Sequence, residues 1–423
     1  MNISSKSYIQ TLVTALVAIF ISGCSTAPES TEEWPSFHGS DRTNKSFETG
    51  LLNEWPEGGP DLEWKVTGLE EGYSTIIIAD GHIYASGLES GQTTVFCFDL
   101  DGKLAWKSAN GKAWSTTLSW AASYTGARST PTFSEGIIYH LGEGGRLAAF
   151  DAETGSEIWF KNLPEEYDAE MTEYGYAESV LIEGDNLYVR PAGKKGFQVC
   201  LDKNDGSLIW ANTDIPGSEG YSSAVLMDFG GFHQIVASSS NCYYGVDTET
   251  GKLLWKTDFE NSRGLNITDA IVYNEYVFFT SGYGKGSKLI RLNVSDGEII
   301  PALVWESEIM DNHHGGVILH DGYLYGSGSN SRGWFCIEFL TGKQIWNEDG
   351  KGSITFADGL LYFLDERSGN MKLVRATPEK FDLKGEFDIP RGGEGMYWAH
   401  PVVCGGRLYV RHADVLYAYD ISI

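Results

Sequence analysis

The fold this sequence predicts is all-β: a single eight-bladed propeller of four-stranded antiparallel blades. Three observations predict it. A nine-residue phrase, Asp-x-x-Thr-Gly-x-x-x-Trp, recurs along the chain; its tryptophans fall at Trp64, Trp106, Trp159, Trp210, Trp255, Trp305 and Trp346, a period of roughly 40–50 residues; and no long segment places apolar residues at helical spacing. The phrase is complete at Asp151–Trp159 and Asp247–Trp255. It is looser at Asp202–Trp210 and Glu338–Trp346, one residue shorter at Asp99–Trp106, and interrupted by an insertion at Asn293–Trp305. Phe387 stands at the eighth expected place.

From the amino terminus, residues 1–23 read as a lipoprotein signal peptide. Lys6 supplies a positive start, and Ile9–Ile21 is an apolar run too short for a comfortable membrane span. The run ends in Ile21-Ser22-Gly23-Cys24, which resembles the lipobox of bacterial lipoproteins. That resemblance implies cleavage before Cys24 and lipidation of Cys24, a stable multi-chain anchor. With Ser25 following, it implies sorting to the outer membrane, facing the periplasm or the cell surface. Residues 24–33 are polar, contain Pro28, and read as a flexible tether. Residues 34–423 then form the propeller.

Within it, each blade starts from an inner strand expected at Tyr73, Ser129, Glu178, Ser222, Ile267, Gly315, Ser353 and Ala399. A tight turn such as Asp80-Gly81 or Asp321-Gly322 leads to the second strand. The third strand enters the repeated turn, and the fourth carries the tryptophan. After Val415–Asp420 the chain ends without a fourth strand for its last blade. Leu62–Val66 supplies it and closes the ring.

Of the cysteines beyond Cys24, three (Cys97, Cys200 and Cys336) sit two residues before the acidic residue of the repeat, where Ala149 and Gly245 stand in other blades. They are expected in the core as small apolar side chains. No haem-attachment or zinc-like set appears. Asp202–Gly206 faintly resembles the start of a calcium-binding loop, but Thr213 stands where the bidentate Glu belongs. A formal charge of −27 argues against nucleic acid as a partner.

Ala149–Trp159 matches A-x-D-x-x-T-G-x-x-x-W, the motif of the pyrroloquinoline quinone (PQQ) repeat propellers, and the chain resembles that family over residues 34–423. The motif speaks for fold more than for function. One branch of the family, the quinoprotein dehydrogenases, implies PQQ and calcium over the propeller axis and oxidation of an alcohol or sugar. This chain lacks the adjacent Cys-Cys pair of the alcohol dehydrogenases. The other branch is the non-catalytic lipoprotein of the outer-membrane β-barrel assembly machinery. That BamB-like branch implies a scaffold without a cofactor, with envelope proteins as partners. Asn312–Gly316 and Ala399–Val403 are similar to propellers described only as PQQ-binding-like.

The candidate ligand site is the mouth of the central channel, where the loops entering the inner strands converge. It offers Tyr73, Arg128, Glu178, Tyr221, Asn266, His313, His314, Lys351 and His400. Mixed polar groups around an axial funnel suit a small polar ligand. They equally suit bonding between neighbouring loops. No catalytic residue and no metal site is assigned. Two long loops flank the same face. Asn110–Arg128 carries Trp114, Trp120 and Tyr124, aromatics able to anchor a partner or stack on a sugar. Asn162–Ala177 is acidic. The expectation is an envelope binding protein, with a PQQ-dependent dehydrogenase and a carbohydrate- or polymer-binding module as alternatives.

Overall fold

The computed structural model describes Met1 and residues 33–423. The signal peptide after Met1, Cys24 and all of the tether except Glu33 lie outside the described residues. Residues 61–423 form eight four-stranded antiparallel sheets. Their inner strands are Ile76–Ala79, Thr132–Ser134, Leu181–Glu183, Val225–Phe229, Ile271–Tyr273, Val317–His320, Gly352–Ala357 and Val402–Cys404, in blades I to VIII. Blade VIII draws its outer strand from the other end of the chain: Asp61–Val66 pairs antiparallel with Val415–Asp420. The ring is closed by sheet hydrogen bonds, as expected.

The repeated phrase works as a joint between blades. In blade II the Asp151 carboxylate accepts the Thr154 backbone N–H at 2.8 Å and its hydroxyl at 2.7 Å. Gly155, at φ +70°, completes the turn, and a Cβ there would lie 2.6 Å from the Trp106 indole of blade I. Gly206 meets Trp159 and Gly251 meets Trp210 in the same way. The indole N–H donates onward: Trp106 to the Ala152 carbonyl at 2.9 Å, Trp159 to Lys203 at 2.9 Å and Trp210 to Thr248 at 2.9 Å. Each of these three tryptophans thus lies on a glycine of the next blade and hydrogen-bonds to that blade's turn, whereas Trp255 donates to Gln234 of its own blade at 2.6 Å. The insertion in blade V is a lengthened hairpin, with Asp296 (φ 54°) and Gly297 (φ 79°) at its tip, a type I′ turn. Cys97, Cys200 and Cys336 are buried in the core, as are Cys242 and Cys404.

Blade VII departs from the sequence reading. The registers place Gly385, not Phe387, where the other blades carry tryptophan: Gly385 faces Leu373 beside the bulge, as Trp346 faces Cys336. The missing indole comes from Trp55, before the first strand. Trp55 lies 5.9 Å from Tyr362 at 55°, which reproduces Trp106 on Tyr84 (5.9 Å, 52°) and Trp159 on Tyr139 (6.1 Å, 52°). A Cβ on Gly385 would sit 2.6 Å from the Cβ of Trp55. The glycine is what admits the replacement.

The inner strands also differ, most of them starting two to four residues later than expected. The residues before them bond sideways to the next blade. The N–H of Thr75 donates to the Thr130 hydroxyl at 3.2 Å, that of Thr130 to Ser179 at 2.9 Å, that of Ser179 to Ser223 at 3.1 Å, and that of Ser223 to the Asp269 carboxylate at 2.6 Å. Residues with short hydroxyl side chains recur here because they satisfy a backbone donor of the preceding blade. The sequence spacing shows the recurrence but not the direction of the bond.

Residues 34–52 form no blade. Trp34 exchanges backbone hydrogen bonds with Ile78 of blade I, and Ser46 donates to Phe356 of blade VII. Leu51 and Leu52 then meet the C-terminus at Ser422 and Ile421. Between these anchor points the segment crosses the axis. The Arg42 guanidinium donates to the carbonyls of Ala224 (2.8 Å), Ser179 (3.1 and 3.2 Å) and Val180. Asn44 donates to Ile354 at 2.5 Å. Burial brings the Arg42 pKa down to about 10, still a cation at neutral pH. The segment plugs the channel.

Candidate functional site

Above the plug, at the mouth, lies a cavity of about 520 Å³, within the usual range for small-ligand sites. Its floor is the plug itself: Phe37 stacks on His38 (3.7 Å, 25°). The loops entering the inner strands bring seven of the nine expected residues to the wall, namely Tyr73, Arg128, Tyr221, His313, His314, Lys351 and His400. Glu178 and Asn266 do not reach it. Glu178 is fully buried beside Arg190 (3.8 Å) and accepts its backbone N–H at 3.0 Å. Asn266 donates to the carbonyls of Phe259 at 2.7 Å and Ser239 at 2.8 Å. Both hold loops rather than face a ligand.

The two long loops converge on the cavity. Trp120 and Tyr124 line it from one, and Glu173 and Tyr174 from the other. Trp120 is 56% exposed, whereas Trp114 is buried beneath the loop, where the Arg128 guanidinium lies 5.5 Å from its ring. The acidic loop opens with a short helix, Leu163–Tyr167, whose Leu163 and Tyr167 are buried against blades II and III.

The electrostatics are one-sided. Burial lowers the pKa of His313 and of His400 to about 3 and that of His314 far below its ordinary value. These rings are neutral hydrogen-bonding groups at physiological pH. His400 Nε2 faces the His314 carbonyl at 2.7 Å and must carry the proton, since a carbonyl only accepts. Its Nδ1 therefore accepts from His38 Nε2 at 3.0 Å, which fixes both tautomers by hydrogen-bond logic. The cations are Arg128, Arg263 and Lys351. Lys351 is balanced by Glu366 at 3.1 Å. Arg128 lies over Tyr73 (5.6 Å) and Tyr174 (6.0 Å) as well as Trp114, a cation–π setting.

PQQ with calcium fits this site poorly. Calcium takes six to eight oxygens, from carboxylates together with backbone and amide carbonyls and water. The cavity's carboxylates are Glu173 at the rim and Asp269 beside His38 (3.4 Å). Among the described residues no group of three or more His, Cys, Asp or Glu is placed to hold a metal ion. Trp398, the large ring of the wall, is already stacked by His314 (4.1 Å, 24°) and Tyr124 (5.5 Å, 23°).

Sequence reasoning missed Phe37, His38, Tyr174, Arg263, Tyr283 and Trp398, all in the wall or floor. A signal for the floor existed: Trp34, Phe37, His38 and Arg42 are unusual in a stretch that carries no strand pattern.

The family model described as outer membrane protein assembly factor BamB matches residues 91–348. A BamB of Shewanella oneidensis is 24% identical over 277 residues, covering 59% of this chain and 66% of that protein. The quinohemoprotein alcohol dehydrogenase ADH IIB of Pseudomonas putida is 28% identical over 148 residues, covering 31% of this chain and 20% of that enzyme. The chain thus spans less than two thirds of the length of either relative. In structure it is similar to BamB from Moraxella catarrhalis (TM-score 0.61, 15% identity, 85% of this chain and 99% of that one). It is equally similar to quinohemoprotein alcohol dehydrogenase from Comamonas testosteroni (TM-score 0.62, 12% identity, 92% and 81%). At those identities the structural likeness speaks for the fold.

Proposed function

The chain belongs to the PQQ-repeat propeller family whose model is described as outer membrane protein assembly factor BamB, and from that membership we propose that it is a binding scaffold of the cell envelope. In this reading Cys24 carries the lipid anchor, the propeller faces the periplasm, and envelope proteins are engaged through the mouth face. The observation that carries it is the architecture of that face. Two long loops rise around a plugged channel and present Trp120, a large ring 56% exposed, of the kind that anchors protein interfaces. The protein works without a cofactor.

A PQQ-dependent alcohol or sugar dehydrogenase is the second reading, favoured by the likeness to the quinohemoprotein enzymes. Calorimetric titration with PQQ and calcium separates the two. The scaffold reading expects no heat and no thermal shift; saturable binding with a raised melting temperature, joined by dye-linked alcohol oxidation, would replace it. For the anchor, Cys24→Ser is expected to move the protein from the membrane to the soluble fraction. A variant that stayed with the membrane would remove the lipoprotein assignment.

A further inference from the structure

We propose that the mouth cavity is a receptor site for an acidic sugar, with Arg128 taking the sugar's carboxylate. This goes beyond the scaffold reading and does not depend on it.

The first argument is charge. The protein carries a formal −27, yet the cavity gathers Arg128 and Arg263, and among the described residues neither guanidinium has a carboxylate within ion-pair distance. The Arg128 guanidinium lies 6.0 Å from the Tyr174 ring, and both arginines act on the Tyr174 phenol electrostatically. A carboxylate matches such a pair, since guanidinium presents donors in a planar fork.

The second is unspent hydrogen-bonding capacity. Arg128 Nε, His313 Nε2 and His314 Nδ1 are buried polar atoms of the wall without a protein partner. Buried polar groups left so are costly unless something else meets them. Arg128 gives one bond to the Tyr124 carbonyl and faces aromatic rings otherwise. The imidazoles are neutral, so they add no charge beside the guanidinium.

The third is shape. The aromatic groups leave no open parallel slot: Trp398 is stacked against His314 (24°) and Tyr124 (23°), and the others meet at angles, Tyr174 on Tyr221 at 69° and Tyr283 on His313 at 71°. A flat polycyclic acid finds no sandwich there. A sugar ring, with apolar C–H faces alternating with hydroxyls, suits a wall in which rings alternate with phenol, imidazole, Ser329 and Asn330.

The test uses the full chain with D-glucuronate and D-galacturonate, followed by calorimetry and thermal shift. D-glucose serves as the neutral control, benzoate as the aromatic acid and tetragalacturonide as the polymeric source. We expect a uronate to bind at least about tenfold more tightly than glucose or benzoate. Arg128→Gln should weaken it at least about tenfold and Arg263→Gln about threefold or more. Tighter binding of tetragalacturonide than of the monomer assigns a polymer end as the occupant; the reverse assigns a free sugar acid. Arg263 is exposed, so its variant reads the site even if Arg128→Gln fails to fold. The proposal is overturned if no uronate binds, if glucose or benzoate binds as well, or if uronate binding survives the Arg263 change undiminished.

Discussion

Trp55 lies in a stretch that reads as a linker, yet it fills the tryptophan site of blade VII. Trp55→Ala removes an indole only 7% exposed, packed on Tyr362 and edge-on to Phe387 (5.1 Å, 76°). A buried aromatic of this size removes some 150–250 Å² from water, and at about 25 cal/mol per Å² that is roughly 4–6 kcal/mol. Measured truncations of buried Trp and Phe to Ala cost about 3–5 kcal/mol, and we expect a loss in that range. Gly385 cannot compensate, because it has no side chain with which to close the gap. The assay is urea unfolding followed by circular dichroism, with Trp159→Ala as the comparison inside a regular repeat. The expectation is a midpoint lowered as much by the first change as by the second, at similar m-value. A Trp55 variant within about 1 kcal/mol of the parent, beside a strongly destabilised Trp159 variant, would refute the equivalence.

Two further outcomes follow from the packing. Glu219 is buried, and burial raises its pKa to about 8 against the opposing pull of Arg190. The folded state therefore holds a proton that the unfolded chain releases above about 4.5, so stability falls as pH rises from about 4.5 through about 8 and levels beyond. Glu219→Gln should remove that slope, worth roughly 3–5 kcal/mol across the window at about 1.36 kcal/mol per pH unit; parallel pH profiles for the two proteins would contradict it. Gly155→Ala should cost about 2–4 kcal/mol, since the new Cβ meets Trp106 at 2.6 Å at a positive φ. A melting temperature equal to the parent's would show that the joint yields more than its geometry implies.

Much of the ring was legible because the repeat is physical. The turn needs Asp, Thr and Gly to close, and the tryptophan needs that glycine beneath it, so the residue pattern and the contact are one constraint. The closing strand Asp61–Val66 was legible for the related reason that a blade lacking a strand must find one. Blade VII was misread because Phe387 occupies nearly the right spacing, while the true position is a glycine filled from afar. No local pattern in 53–57 announces that. The mouth was legible only in part. Arg128, His313, His314 and His400 sit at loop positions that converge on the axis in any propeller. Whether a side chain there turns inward or into the blade, as Glu178 does toward Arg190, depends on partners remote in sequence. The plug left only the trace of Trp34, Phe37, His38 and Arg42 in a stretch without strand pattern; its position could not be read, because Arg42 has meaning only against the carbonyls of Ser179, Val180 and Ala224.

The central claim is that the mouth face engages an envelope protein. A photo-crosslinking residue placed at Trp120 in living cells tests it most directly, with Glu249, exposed in a repeat turn, as the control position. A discrete adduct with an envelope protein at 120 and none at 249 is the expected result. No adduct at 120, or the same adducts at both positions, would contradict the claim.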